Sequence, residues 1–363
     1  MSSSTSSSEL PPIILYHYPF SPYARRIVWY LHLRGIPYTQ CLQPHILPRP
    51  DLSSSLGIKY RRIPLLSIGR DVYLDTRLIL SKLESLPLPI SQPKLSAPAG
   101  SDDLALERLL SAYSIDGGLF SRAAQLLFSL DNPLLKDPKF LADRAEFATG
   151  GGAAGAKGAA VSREDMAALG PEALADLRDY CQLLETTVLA DGRRWILKGN
   201  DKPGMADIEA VFVLYWVMGL PGALPKGMFN EEKFPRVWKW VERFRVAVGE
   251  SKQTPAKKGE SKVTTIKGDK ASEMILGAEW NEKGESEVDT GEAIVQFHKL
   301  EKGTVVEVWP TDSGSGVAHR DVGRLVRLDA KEVVIENDKG LRIHAPRHGF
   351  RVKPSAQAVA SSL

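Results

Sequence analysis

The chain has 363 residues with 43% hydrophobic and 25% charged content, ordinary globular values, and its length calls for two or three domains. A formal charge of +3 is close to neutral at this size, so whole-chain charge gives no reason to invoke nucleic acid or a membrane surface. The two cysteines, Cys41 and Cys181, are far apart in apolar segments, which excludes a disulfide scaffold and fits a reducing, cytoplasmic compartment.

Residues 1–11 read as a disordered, serine-rich tail without the charged and apolar regions of a signal peptide. Residues 13–18 are an apolar run rich in β-branched and aromatic side chains, hence a strand. Pro19 and Pro22 break it. From 23 to 33, Ile27, Val28, Tyr30 and Leu31 recur at helical spacing, and Gly35 ends that helix. A strand over 37–42, a proline-rich loop over 45–50, strands over 63–68 and 71–74, and a helix over 77–86 follow. The order, β-α-β-loop-β-β-α, is that of a thioredoxin-like domain spanning 12–88.

Residues 87–100 are rich in Pro and Ser and read as a linker. Only helical patterns follow, giving an all-helical domain over 101–250. It is interrupted at Asn132-Pro133, by a Gly/Ala stretch over 150–160, and over 199–204. Residues 172–189 are a clean amphipathic helix, and Val237, Trp240, Val241 and Phe244 mark another. The most apolar window, 208–220, carries Glu209 and is too short for a bilayer, so no membrane span is expected. Residues 251–295 read as a polar, Lys-rich linker with one short helix. Over 296–355 the period changes to two. Five short strands separated by Gly, Asp and Asn turns predict a small SH3-like or OB-like barrel. The predicted class is therefore multidomain: α/β, then all-α, then small all-β.

Three features carry chemistry. Ser21 and Pro22 are a good cap and first residue for the first helix, whose N–H groups and positive dipole end stabilise an anion there. A thiolate at that point has its pKa lowered, and the Ser21 hydroxyl can donate to it. Pro64, opening a strand after Ile63, suits a cis bond that exposes the Ile63 backbone to a ligand's peptide group. Asp75 and Thr76 open the next helix, where Asp75 can accept from an ammonium and Thr76 can donate to a carboxylate. Taken singly, helix capping and an ordinary edge proline account for all three. Tyr16, Tyr18 and Tyr23 compete with Ser21 as thiolate donors. The basic run 59–62 suits an acidic ligand or a solvated edge. The histidines make no metal site: His344 and His348 are separated by Pro346 and have no third ligand nearby in sequence. Arg342, His344, Arg351 and Lys353 alternate with apolar residues, which predicts a cationic face on the last strands, either solvated, the favoured reading, or open to RNA or an acidic partner.

In this order and spacing the three features resemble the glutathione transferase family. Ser21-Pro22-Tyr23-Ala24 is similar to the Cys-Pro-Tyr/Phe-Cys site of glutaredoxins and omega-like transferases with both cysteines replaced. Ile63-Pro64 resembles the family's cis-proline. Asp75-Thr76 stands where the family has Glu/Gln-Ser, and residues 203–208 resemble its Pro-Ser-x-Ala-Asp-Ile segment. The trailing β domain resembles that of a fungal-type branch. The resemblance implies a serine-type enzyme with Ser21 catalytic and glutathione as co-substrate, bound by Ser21, Ile63, Pro64, Asp75 and Thr76. Tyr18 and Tyr23 are further thiolate donors. The implied partner is an apolar electrophile resting against Tyr113 or Trp216, and the family also implies a homodimer. No metal, membrane or nucleic acid is called for. Without cysteine at 21 or 24, dithiol exchange at this loop is ruled out. The competing reading is a non-catalytic scaffold whose C-terminal barrel binds a partner.

Overall fold

A computed structural model describes residues 10–149, 163–253, 263–284 and 287–356. Residues 1–9 of the expected tail, the Gly/Ala stretch and residues 254–262 of the expected second linker lie outside the described residues.

The first strand, β1 (Ile13–His17), is buried on both faces, which explains its unbroken apolar run. Ile13 and Leu15 enter one core cluster; Ile14 and Tyr16 enter a second on the opposite face. This is the two-sided alternation a central strand demands. Helix α1 (Pro22–Leu33) follows, stopped by Gly35 at φ 64, where Ile36 N–H returns to Leu31 O at 2.8 Å. Strand β2 (Tyr38–Leu42) pairs parallel to β1, and a single helical turn, α2 (Pro50–Ser53), leads back. Strands β3 (Leu65–Ile68) and β4 (Asp71–Tyr73) form a hairpin with β3 antiparallel to β1, and α3 (Thr76–Ser85) closes the unit. This is the expected thioredoxin-like order.

The following segment is strapped to both neighbours. Glu84 accepts from Leu95 and Ser96 N–H, and Met205 N–H donates to Leu95 O at 2.8 Å. The helical part comprises α4 (Asp102–Ile115), α5 (Leu119–Gln125), α6 (Pro138–Thr149), α7 (Arg163–Ala168), α8 (Gly170–Leu183), α9 (Met205–Met218) and α10 (Pro235–Gln253). The expected helix over 172–189 is α8 followed by a π turn, Leu184–Val188. Helix α9 is buried almost all round and lies between α1, α4 and α10. Each large apolar side chain it buries contributes about 1.5–3 kcal/mol.

The remaining chain departs most from expectation. Within the expected linker, β5 (Val263–Thr265) adds a parallel edge strand to β2, α11 (Gly268–Leu276) covers the second core, and α12 (Ala293–His298) follows. Strands β6 (Val305–Pro310), β7 (Asp321–Leu328), β8 (Glu332–Glu336), β9 (Arg342–Pro346) and β10 (Phe350–Pro354) form an antiparallel array with β10 folded back on β6. They do not stand apart. Strand β9 pairs parallel to β4, with Val72 opposite Ile343, giving one ten-stranded sheet in the order β10-β6-β7-β8-β9-β4-β3-β1-β2-β5.

The seam between β4 and β9 contains the side chain the sequence placed on a solvated face. His344 is 1% exposed. Its Nε2 meets Asp71 Oδ1 at 2.8 Å and its Nδ1 meets Glu332 Oε1 at 2.5 Å. Neighbouring Glu282 and Glu332 are bridged by Lys82 at 2.5 and 2.7 Å and by Arg327 at 2.8 Å to each. Ligand atoms of Glu282, Glu332 and His344 lie within 4.8 Å of one another, a grouping the sequence spacing concealed. The Lys82 and Arg327 cations already bridge its two glutamates.

Candidate active site

The end of β1 carries the chain to Ser21, whose extended backbone (φ −66, ψ 120) caps α1. Its Oγ accepts from Ala24 N–H at 3.2 Å, which leaves the hydroxyl hydrogen to donate elsewhere. Ser21 is 2% exposed yet lines a cavity of about 280 Å³. The unpaired N–H groups and positive dipole end of α1 face the same place.

Across the cavity, the Ile63–Pro64 bond is cis and both residues line the wall. Asp75 caps α3 at φ 64; its Oδ1 accepts from Arg77 N–H at 2.9 Å, leaving Oδ2 free of any hydrogen bond among the described residues. The Thr76 hydroxyl accepts from the Arg26 guanidinium, which also pairs with Glu209 of α9. Arg26 is fully buried, so this bridge ties the thioredoxin-like unit to the helices directly behind the site. Tyr18 and Tyr23 line the cavity too, so seven of the residues selected from sequence (Tyr18, Ser21, Tyr23, Ile63, Pro64, Asp75 and Thr76) converge on it. Tyr23 packs on Phe120 and Phe212, and burial pushes its phenol pKa up, which keeps it a protonated donor. Tyr16 is buried in the second core, away from the cavity.

Sequence reasoning missed most of the charged wall. Arg49, Arg61, Arg62, Arg77 and Arg144 all line the cavity. Arg61 pairs with Asp143 at 2.8 Å and Arg77 with Asp116 at 2.8 Å. Arg144 also holds Asp143, through its Nε at 3.0 Å. Burial alone would push the Asp143 carboxyl up, but the Leu47 N–H and the two guanidiniums hold it below the usual range. Arg49 is different. It is 5% exposed, bonds the Pro44 and Arg61 carbonyls, and has no carboxylate partner among the described residues. Burial pushes its pKa down to about 10. Phe147 sits among three guanidinium carbons, of Arg61 at 5.4 Å, Arg62 at 5.3 Å and Arg144 at 5.5 Å.

The C-terminal strands also reach this cavity. Asp312, in the loop after β6, lines it and forms a two-pronged ion pair with Arg62, whose second amine meets Ser313 Oγ at 2.7 Å. Asp321, at the start of β7, accepts from Lys59 N–H at 2.6 Å, and burial pushes its carboxyl up to about 7. The basic run 59–62 was the one sequence signal pointing here; nothing local marked Asp312. Tyr113 and Trp216 do not line the cavity: the first stacks on Tyr180 at 5.5 Å, and the second packs tilted against Phe120 at 5.3 Å. A larger cavity of about 470 Å³ behind α3 includes Glu84, Glu107 and Glu209 in its wall but not the α1 terminus.

A family model described as the glutathione S-transferase N-terminal domain matches residues 15–88. Residues 15–88 are thus a glutathione-transferase-like N-terminal domain. A domain of unknown function (DUF7962) matches residues 122–253. Among solved structures, a GST-like protein from Pseudomonas syringae is 21% identical at a TM-score of 0.60, covering 95% of this chain and 99% of its own. That likeness extends the shared fold through the C-terminal strands. Rice GST1 in complex with glutathione is 19% identical at 0.47, covering 74% and 96%. Human glutathione S-transferase T1-1 is 21% identical at 0.45, covering 66% and 84%. Curated protein sequences give no match. Among the described residues no helix is long and apolar enough to cross a membrane.

Proposed function

We propose that the chain is a serine-type, glutathione-dependent transferase that conjugates or isomerises a small apolar electrophile. The observation that carries this reading is Ser21: a buried hydroxyl at the N-terminus of a 12-residue helix, opening on the cavity that also holds cis-Pro64, Asp75 and Thr76. The glutathione thiol sits over Ser21, whose O–H donates to the thiolate while the α1 dipole end favours its charge. The Ile63 backbone pairs with the peptide part. The free Oδ2 of Asp75 accepts from the α-ammonium, and Thr76 with the α3 terminus donates to the adjoining carboxylate. Arg49, lacking an acid of its own, is suited to the other carboxylate. The thiolate then forms a C–S bond to the electrophile held against Phe120, Ile115 and Phe147, and a displaced group leaves or a proton is added from solvent. Tyr18 and Tyr23 are the reserve donors. No metal takes part in this scheme. The resemblance further implies a cytoplasmic protein that pairs with a second copy, which sedimentation tests.

The engagement of Ser21, Asp75 and Thr76 in caps and internal bonds favours the second reading, a scaffold that uses the fold without the chemistry. Calorimetric titration with glutathione, beside a Ser21→Ala variant followed by thiolate absorbance, separates the two. Binding by both proteins with ionisation only in the wild type supports the enzyme. No heat at millimolar glutathione sinks it.

A further inference from the structure

At the other end of β4 from Asp75 lies a second polar site that the reaction does not use. Gly69 turns the β3–β4 hairpin at φ 57, and a Cβ there would meet Glu279 O at 2.4 Å. Only glycine allows the 279–280 segment this close. Arg70 N–H then donates to Glu279 O at 3.0 Å, and Gly69 pairs with Trp280 as an isolated bridge. Arg342, the first residue of β9, lies over the Trp280 ring with its guanidinium carbon 4.0 Å from the centroid. The hairpin, the 279–280 segment and β9 thus bring two arginines and an indole into one groove of about 510 Å³.

Glu279, Glu282 and Lys283 also line this groove, but its two guanidiniums have no acid of their own. Arg342 donates to Glu282 O at 2.9 Å and Arg70 to Lys339 O at 3.3 Å, both neutral carbonyls. Neither guanidinium has a carboxylate partner among the described residues, and the acids nearby are committed elsewhere. Glu279 pairs with Lys283 at 2.8 Å, and Glu282 is held by Lys82 and Arg327. Three donors of the same residues, Arg70 Nε, Arg342 Nε and Trp280 Nε1, are buried without an acceptor. Unmet buried donors are costly, and charge-assisted bonds to an anion are the strongest way to meet such groups.

We propose that this groove binds an oxyanion, a carboxylate or phosphate group held between Arg70 and Arg342 beside the Trp280 indole. Stacking on Trp280 and the two carbonyl bonds fix the guanidiniums in advance, so little side-chain entropy is lost on binding. The site is independent of the glutathione reading, because it shares no residue with that cavity.

The test is calorimetry on the full chain at low ionic strength, with inorganic phosphate in one series and citrate in another. Saturable binding is expected, weakened about tenfold by Arg70→Gln or Arg342→Gln and lost in the double variant, as removal of one charge-assisted contact implies. Trp280→Phe, which keeps the stack and removes the N–H, weakens it less. Tighter phosphate than citrate identifies a phosphate ligand, and the reverse a carboxylate. If Arg342→Gln fails to fold, Arg70→Gln and Trp280→Phe decide the matter. Absence of saturable heat at millimolar anion overturns the proposal. So does binding that survives these substitutions, or that glutathione displaces, since the anion would then sit at Arg49.

Discussion

Ser21 carries two duties that one substitution can pull apart. As a cap it satisfies Ala24 N–H, and losing a serine cap costs about 1 kcal/mol. Ser21→Ala should therefore lower the unfolding free energy by that amount in a urea titration while leaving the fold intact. Ser21→Asn keeps a capping acceptor and should recover most of the loss without restoring thiol ionisation, because its geometry at the cavity differs. A variant that lost no stability would show that the Ala24 bond contributes nothing. Asp207 is the opposite case, a carboxylate whose work is wholly internal. It accepts from Ile196 N–H and Gly204 N–H at 2.9 Å each and from Trp240 Nε1 at 2.8 Å, and burial pushes its pKa up to about 6. Asp207→Ala strands three buried donors at once and should cost at least about 3 kcal/mol, since each unmet donor costs about 1–3. Asp207→Asn, which keeps acceptance at one oxygen only, should fall between. Equal stability of the alanine and asparagine variants would mean that the donors find other acceptors.

Among the elements, α1 and α9 matter most to the site, because Arg26 and Glu209 join them through an ion pair with almost no solvent access. The pair also holds Thr76, so it sets the distance between the thioredoxin-like unit and the helices. Glu209→Ala leaves Arg26 charged and unpaired in the interior, which should cost about 3–5 kcal/mol, whereas a joint Arg26→Met and Glu209→Leu exchange should recover most of it. Chemical denaturation of the three variants measures this, and an unrecovered double variant would show that the charges are needed for more than each other. The elements themselves were legible to different degrees. Helix α1 could be read because capping, proline placement and apolar spacing are local, and they agree over 12 residues. The convergence of Ser21, Pro64, Asp75 and Thr76 was legible for the same reason, since each begins an element. Arg49, Arg144 and Asp312 were not, because they sit in a loop, on a helix far along the chain and in a turn of the last domain. No local period relates them. Strand β5 escaped because three residues, Val-Thr-Thr, in a Lys-rich stretch carry too little pattern.

On the scale of the whole molecule, the decisive contact is between β4 and β9, which joins strands some 270 residues apart into one sheet. Period-two alternation revealed the C-terminal strands but could not say where their edge pairs, since an edge's partner is set by long-range docking. His344 shows the consequence: its alternation was read as solvent-facing because the sheet that covers it lies elsewhere in the chain. Burial alone would push its pKa down, but the hydrogen bonds it donates to the Asp71 and Glu332 carboxylates outweigh this and raise it above 6.5. Glu332 moves the other way; burial would raise it, and His344 and Lys82 hold it below 4.5. The signs follow from linkage. A raised histidine contributes stability that is fully present below its unfolded value and is lost as pH rises through the folded one. A depressed carboxyl contributes above its unfolded value and loses that contribution as pH falls. The seam should therefore be strongest between about pH 5 and 6.5 and weaken on the alkaline side. Urea titrations of the wild type from that range up into alkaline pH should show the unfolding free energy falling above about pH 6.5 as the imidazolium loses its proton, with a smaller slope in His344→Gln. The glutamine keeps two polar contacts but no titrating charge, so its own loss should be nearly independent of pH on the alkaline side. Parallel slopes for the two proteins would mean that His344 is neutral between its carboxylates, and the seam would then rest on Lys82 and Arg327 alone.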